Sequence, residues 1–237
     1  GGGNVAVGNL ALNSNTTASN LVAIGRDALR TNTTGIYNTA IGYQSLYSNT
    51  TASQNVALGY QASYASNSGQ NVSIGYQSMF DTTSGGLNTA IGFRSMYENT
   101  TGASNVALGH SALQNNTTAT YNTAVGYEAG KALTTGVQNT FLGARAGDVT
   151  TTAAYNSAVG VNAMGTNTTG ANNTAIGYAA LQSNTTASNN TAIGFEAGYS
   201  NTTGVENTYL GRNAGYYVTT GGKNTIVGAF HGNQGGL

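Results

Sequence analysis

A glycine that recurs at an almost constant spacing limits what this chain can fold into more than any other feature. It closes short runs such as Asn38-Thr39-Ala40-Ile41-Gly42. The closing glycines are Gly8, Gly25, Gly42, Gly59, Gly75, Gly92, Gly109, Gly126, Gly143, Gly160, Gly177, Gly194, Gly211 and Gly228. Every step is 17 residues except that from Gly59 to Gly75, which is 16. A unit this small cannot bury its own apolar face, so the copies are predicted to stack.

Each unit has a fixed order of residue types when its glycine is numbered as position zero. Position −4 is Asn in every copy except the one with Leu21, position −2 is usually Ala, and position −1 is always Val, Ile or Leu. The run is β-prone and too short for a helix, and the glycine marks a bend where a Cβ would clash. An Asn-Thr-Thr run at positions +7 to +9 has turn composition. Each unit is therefore predicted to form a strand, a bend, a short strand and a turn.

This order predicts an all-β fold, a parallel β-solenoid (β-roll) of about fourteen 17-residue coils, with strands stacked in register about 4.8 Å apart. The Asn at −4 is expected to form an amide ladder inside the wall. Residues 1–237 are expected to form a single continuous domain, because nothing interrupts the repeat. Gly235–Leu237 resembles Gly85–Leu87, which leads straight into another copy. We therefore expect a segment of a longer fibre.

An exchange of side-chain size links positions −2 and +4. The large residues at −2 are Phe141, Tyr209 and Ile226, and the residues at +4 in the same coils are Gly147, Gly215 and Gly232. Close-packed interiors require such exchanges, so the two positions are predicted to share one interior. Positions −3 and −1 would then form an outward apolar stripe that a symmetric oligomer would bury. In the alternative, −1 faces the coil core and −2 faces out.

Composition excludes several classes of partner. Charged residues make up 6 % of the chain, with seven basic and seven acidic side chains, so no field exists to attract nucleic acid or an anionic membrane surface. There is no Cys, and no apolar run approaches the roughly 18 residues of a membrane span. Membrane insertion by this segment is not expected. Low charge could also indicate disorder, but the strict register of Val, Ile and Leu argues against it.

The run Asn-Thr-Ala-Ile-Gly resembles the Asn-Ser-Val-Ala-Ile-Gly repeat in the heads of trimeric autotransporter adhesins. It is also similar to repeats of phage tail fibres and related environmental surface proteins, in which Tyr-Gln-Ala-Leu and Ser-Asn-Thr-Thr-Gly follow. The comparable run here is Gly42-Tyr43-Gln44-Ser45-Leu46-Tyr47-Ser48-Asn49-Thr50-Thr51. The resemblance covers essentially the whole chain and implies a β-solenoid that is usually left-handed and homotrimeric. The unit departs in its length of 17 residues, which exceeds the usual adhesin repeat.

No arrangement of residues indicates catalysis, a cofactor or a metal. His110 and His231 lie seven coils apart and cannot meet within one rod, so no catalytic pair is predicted. The acidic residues are scattered, and none cluster as the six or more oxygens of a calcium site would require. These residues are Asp27, Asp81, Glu98, Glu128, Asp148, Glu196 and Glu206. We expect neither an enzyme nor a cofactor-binding protein.

Two aromatic ladders are candidate binding surfaces. Position +1 carries Tyr43, Tyr60, Tyr76, Phe93, Tyr127, Tyr178 and Phe195, and position +5 carries Tyr47, Tyr64, Phe80 and Tyr97. On a solvent face, stacked rings could present flat amphipathic platforms to a cell-surface glycan. In the alternative, they fill the bend of the wall or a subunit interface.

The Asn-Thr-Thr turns have three interpretations. Their first residues match the glycosylation pattern Asn-x-Thr, and they are Asn15, Asn32, Asn49, Asn99, Asn116, Asn167, Asn184 and Asn201. Regular sugars would explain solubility at such low charge. The plain alternative is an undecorated polar turn. A third interpretation is an ice-binding face built from Thr ladders, although two adjacent Thr suit a turn better than a flat lattice.

The sequence thus predicts a non-catalytic structural or adhesive fibre segment on a cell surface or virion, or in an environmental filament. Its expected main partner is itself, as a trimer or other homo-oligomer or as an end-to-end filament. The alternative is a monomeric surface-binding solenoid that recognises glycan or ice through its Tyr or Thr ladders. Solution mass would discriminate between the two.

Overall fold

The computed structural model describes residues 1–231, which contain fourteen three-residue strands and no helix. The chain divides into two compact units, the first Gly1–Tyr121 and the second beginning at Asn122. The first unit holds β1 (Val5–Val7), β2 (Val22–Ile24), β3 (Thr39–Ile41), β4 (Val56–Leu58), β5 (Val72–Ile74), β6 (Thr89–Ile91) and β7 (Val106–Leu108). The second holds β8 (Thr123–Val125), β9 (Thr140–Leu142), β10 (Ser157–Val159), β11 (Thr174–Ile176), β12 (Thr191–Ile193), β13 (Thr208–Leu210) and β14 (Thr225–Val227).

Within each unit, every strand pairs in parallel with the next strand along the chain. In the first unit Ala23 lies opposite Ala40 and Ile24 opposite Ile41. In the second unit Ala175 lies opposite Ala192 in the same way. Identical positions of successive coils therefore stack, and the predicted parallel β-solenoid of coils of about 17 residues is confirmed. The left-handed, trimeric and single-domain assignments stay predictions.

The repeating glycine is required by how closely successive coils approach each other. Gly25 has a φ of +130°, and a Cβ on it would lie 2.5 Å from the carbonyl oxygen of Gly42 in the next coil. No side chain fits there without moving the backbone. The predicted bend at this position is confirmed, and its physical reason is contact between backbones.

The prediction of a second strand in each coil was wrong. In the stretch that follows the repeating glycine, alternate residues have a left-handed backbone conformation. Gln44 has a φ of 52° and Leu46 a φ of 48°, a conformation that costs an L-residue roughly 1–2 kcal/mol. Backbone hydrogen bonds between coils offset this strain. Gln44 N–H donates to the Arg26 carbonyl, and Leu46 N–H donates to the Ala62 carbonyl, both at 3.0 Å.

Positions −2 and +4 share the interior, as the size exchange predicted. Ala40 and Leu46 are both fully buried, and so is Phe141. A Cβ on Gly147 would collide with the Phe141 ring, so the large residue at −2 occupies the space that a Leu at +4 fills elsewhere. The alternative with −1 in the core is thereby excluded. Gly232 and the Gly235–Leu237 stretch lie outside the described residues.

In coils that carry Asn at both −4 and +7, the two side-chain amides donate to one backbone carbonyl in the interior. Asn38 and Asn49 are buried, and their Nδ2 groups both donate to the carbonyl of Ala52, at 2.8 and 3.0 Å. Asn38 Oδ1 accepts from Asn55 N–H at 2.9 Å. This confirms the predicted ladder at −4. In the coil with Leu21 in place of Asn, Asn32 Nδ2 supplies the donor to the equivalent carbonyl of Gly35, at 3.0 Å.

The single 16-residue coil compensates for its missing residue with a side chain. In a normal coil one carbonyl accepts two N–H groups, as Thr50 does from Thr33 at 2.8 Å and Thr34 at 3.2 Å. In the short coil, Asn67 Oδ1 takes this role and accepts from Thr50 N–H at 3.0 Å and Thr51 N–H at 3.2 Å. The side-chain amide thus replaces a peptide carbonyl, and the stacking of coils continues past the deletion.

Candidate interaction surfaces

The outward face of the strands carries an apolar stripe, which we call the strand stripe and define as positions −3 and −1. Alternation along each strand points these side chains away from the buried Ala at −2. In the first unit the exposed members are Val5, Val7, Ile24, Val56, Leu58 and Ile91. In the second unit they are Leu142, Ile176, Ile193, Leu210 and Val227. Thr140 and Thr225 at −3 are also exposed, and the remaining members are half-buried. Position −3 carries only Val, Thr or Ser, so the stripe contains no charge.

The aromatic residues at +1 and +5 form two stacked ladders in the first unit. Along the +1 ladder, Tyr60 and Tyr76 have ring centroids 5.1 Å apart and planes inclined by 7°. The +1 ladder runs through Tyr43, Tyr60, Tyr76, Phe93 and His110, and the +5 ladder through Tyr47, Tyr64, Phe80 and Tyr97. In the second unit Tyr178 stacks on Phe195, and Tyr199 on Tyr216.

Stacking decides which part of each ring reaches solvent. Because the rings lie face to face along the ladder, their faces cover one another and their edges point outward. Arginines lie over rings at the starts of the ladders, with Arg26 over Tyr43 and Arg30 over Tyr47 at 5.9 and 5.7 Å from the centroids. The ladder therefore does not present flat ring faces to a sugar, and such faces are what the glycan hypothesis requires.

A polar ladder that the sequence analysis missed lies between the aromatic ones, at position +2. Gln61 Nε2 donates to Gln44 Oε1 at 2.9 Å, and Gln77 Nε2 donates to Gln61 Oε1 at 3.0 Å. Arg94 Nε completes the series with a bond of 3.2 Å to Gln77 Oε1. The recurrence of Gln at one repeat position was the signal that could have revealed it.

The asparagines of the Asn-Thr-Thr turns point inward. Seven of the eight are fully buried, and Asn15 is half-buried. Asn184 is typical, because its Nδ2 donates to Asn167 Oδ1 at 2.9 Å and to the Ala187 carbonyl at 3.0 Å. A glycan is attached through this same nitrogen. The geometry therefore favours the undecorated turn, while glycosylation at these positions stays a prediction.

The two threonines of these turns behave differently. At +8 the hydroxyl donates to the next coil, as Thr168 Oγ1 does to the Thr185 carbonyl at 3.0 Å. At +9 the side chains are exposed, and in the second unit they form an unbroken row of Thr135, Thr152, Thr169, Thr186, Thr203 and Thr220. The +9 row is thus one surface available to bind ordered water, and the second unit offers another at position −3, on the outward face of the strands, with Thr123, Thr140, Ser157, Thr174, Thr191, Thr208 and Thr225.

The two histidines each lie near aromatic rings. His110 stacks on Phe93 with centroids 4.8 Å apart, and His231 lies near Tyr216 and Tyr217. Within residues 1–231 no three His, Asp or Glu side chains group as a metal site. A hydrogen bond from Lys131, 2.7 Å from Glu128 Oε1, holds the pKa of the Glu128 carboxyl below its usual range, and the nearby Arg145 adds to this effect.

No protein-family model, curated protein or solved structure matches this chain. In the part of the chain that the structure describes, no helix is long and apolar enough to cross a bilayer. What the surfaces do is therefore inferred from their own side chains.

Proposed function

We propose that this chain is a non-catalytic segment of an extracellular structural or adhesive fibre, and that it associates with copies of itself through the strand stripe. The observation that carries the proposal is the exposure of that stripe. In the second unit Leu142 is 45 % exposed, Ile176 40 % and Leu210 44 %, although each lies on a regular strand with a buried centre.

A second copy of the chain is the occupant that best fits the stripe. The side chains repeat at the spacing of stacked strands, so a partner must present apolar groups at the same period to contact them all. Another copy has the same repeat and therefore the same spacing of apolar groups. A closed symmetric oligomer would remove the stripe from water on every copy. The absence of charge from the stripe means that no ion must be desolvated in the interface.

Placement on a cell surface or virion is supported by the resemblance to adhesin and tail-fibre repeats and by the composition. The wall is built from short parallel strands bonded coil to coil, and buried Asn side chains such as Asn38 and Asn173 donate to backbone carbonyls inside it. Such a wall exposes few long loops to proteolysis. These properties suit a stalk or spacer, and we assign the segment no enzymatic role.

The test is the solution mass of the native chain by light scattering over a range of concentrations. We expect an integral multiple of the chain mass, with three copies favoured by the resemblance. The disrupting variant is Ile176→Lys with Ile193→Lys, which places charge on the stripe in neighbouring coils. The matched control is Thr186→Lys with Thr203→Lys, which adds the same charge to the exposed turns of the same two coils.

We expect the stripe variant to become monomeric while it keeps the circular dichroism of the native strands, and the turn variant to keep the native mass. A native chain that stays monomeric at every concentration would overturn the proposal. If the two variants have the same mass in solution, the copies associate through a surface other than the strand stripe.

The exposed row of Thr at +9 supports one second candidate, a monomeric solenoid whose Thr row binds ice. The row is continuous in the second unit, and each of its members is exposed. Ice recrystallisation assays on the native chain test it directly, and Thr169→Lys with Thr186→Lys should abolish any activity. Inhibition by the native chain that this variant lacks, together with a monomeric mass, would favour this candidate over the fibre.

A further inference from the structure

Four pairs of tyrosines are stacked directly on each other in successive coils. In the +1 ladder these are Tyr43 with Tyr60 and Tyr60 with Tyr76, at centroid distances of 5.2 and 5.1 Å. In the +5 position they are Tyr47 with Tyr64 at 5.1 Å and Tyr199 with Tyr216 at 4.9 Å. The planes within the pairs are inclined by 15°, 7°, 11° and 8° respectively.

These rings are open to small reagents from the side. Tyr60 and Tyr76 are each 43 % exposed, and the other members of the pairs are half-buried. Because stacked faces shield one another, the exposed part of each ring is its edge. An oxidant in solution can therefore reach the phenols without any opening of the fold.

We propose that these four pairs are sites of oxidative dityrosine cross-linking between neighbouring coils. A haem peroxidase with hydrogen peroxide is the class of oxidant required. Each phenol of a pair loses one electron and one proton, and the two phenoxyl radicals join through the ring carbons ortho to oxygen. The hydrogen on each newly bonded carbon then leaves as a proton, and the oxygen of the same ring takes up a proton, which restores the phenol. One hydrogen peroxide accepts the two electrons and two protons and becomes two waters.

The ladder supplies the proximity that this coupling needs. Two phenoxyl radicals in solution must diffuse together, whereas each stacked pair already holds its rings nearly parallel with centroids 4.9 to 5.2 Å apart. Surface side chains change rotamer readily, so the ortho carbons can close the remaining distance. The product joins residues one coil apart, and this link restrains separation of the coils on unfolding.

The chain contains its own negative controls, because phenylalanines interrupt the ladders. Tyr97 stacks on Phe80 at 5.3 Å, and Tyr178 stacks on Phe195 at 5.2 Å. Phenylalanine has no phenol and forms no comparable radical. Tyr97 and Tyr178 should therefore stay unlinked within one chain although their rings are stacked as closely as those of the reactive pairs.

The experiment treats the native chain with peroxidase and hydrogen peroxide and maps linked peptides by mass spectrometry. We expect each link to reduce the mass by two hydrogens, and we expect the links to join the tyrosines of the four named pairs. The yield should not change when the chain is diluted, because coupling within one chain is independent of its concentration. The inference does not depend on self-association, so a monomeric chain would give the same links.

Two variants complete the test. Tyr60→Phe removes both +1 links and should leave those of Tyr47 with Tyr64 and of Tyr199 with Tyr216. Tyr97→Phe, the matched control, should leave all four. Links that join mainly exposed unstacked tyrosines such as Tyr121, or a dityrosine yield that Tyr60→Phe leaves unchanged, would overturn the proposal.

Discussion

Tyr209 places a polar hydroxyl in the interior of the fold. It is fully buried at position −2, and its hydroxyl has no hydrogen-bond partner. The equivalent residue Phe141 fills the same kind of site without a hydroxyl. An unsatisfied buried polar group costs roughly 1–3 kcal/mol. We therefore expect Tyr209→Phe to raise the free energy of unfolding by about 1 kcal/mol or more in urea titrations, whereas the exposed Tyr155→Phe should change nothing.

The same residue predicts a specific sensitivity to alkali. Burial raises the pKa of the Tyr209 phenol above its ordinary value, so the folded state keeps a proton that the unfolded state releases near pH 10. The contribution is present below that pH and is lost as the pH rises above it. Tyr209→Phe should flatten the decline of unfolding free energy between about pH 10 and 11. An alkaline decline that Tyr155→Phe removes and Tyr209→Phe leaves would contradict this assignment.

Phe141 and Gly147 offer a direct measurement of the size exchange. Phe141→Ala opens a cavity and should cost about 3–5 kcal/mol. Gly147→Leu in the presence of Phe141 should overpack the interior and also destabilise. The double variant restores the Ala and Leu found in other coils, so its loss should be smaller than the sum by about 2 kcal/mol or more.

The control for this cycle pairs Phe141→Ala with the distant surface change Thr203→Lys. Those two changes share no contact partner and should add within about 0.5 kcal/mol. Additivity of the Phe141 and Gly147 variants in chemical unfolding would mean that the two positions do not fill one space. Coupling of the distant pair would instead indicate that the second unit responds to any charge.

At the scale of one coil, Asn67 shows how a deletion is absorbed. Its Oδ1 accepts from Thr50 N–H and Thr51 N–H. Asn67→Ala removes this acceptor and should cost about 1 kcal/mol and accelerate amide hydrogen exchange at both threonines. Asn67→Asp keeps a carboxylate acceptor and should preserve the slow exchange. If both variants exchange alike, the side-chain oxygen does not replace the carbonyl.

The coil also shows why sequence reasoning succeeded in part. The glycine, the Ala at −2 and the Leu at +4 have one dominant physical role each, so their recurrence predicted strand, bend and shared interior. The stretch around Gln44 and Leu46 was predicted as a second short strand between the bend and the turn. Its left-handed φ values accompany backbone hydrogen bonds to neighbouring coils. Bonds between coils cannot be read from the residues of a single repeat. The inward turn of Asn49 likewise depends on a carbonyl three residues away.

At the scale of the whole molecule, the balance of charge determines how association should respond to salt. Seven basic and seven acidic residues give no net charge, and the strand stripe contains only apolar residues, Thr and Ser. Dissolved salt therefore has few charges to screen in the proposed contact between copies. The association constant from sedimentation velocity should be nearly unchanged between about 0.05 and 1 M sodium chloride, over which the Debye length falls several-fold.

Sulfate provides the complementary measurement, because it is excluded from protein surfaces and strengthens apolar burial. We expect sodium sulfate to tighten association of the native chain and of the Thr186→Lys, Thr203→Lys control at concentrations where sodium chloride has no effect. An oligomer that sodium chloride dissociates would be held by ion pairs. That outcome would place charged side chains at the contact and would contradict the strand stripe as its site.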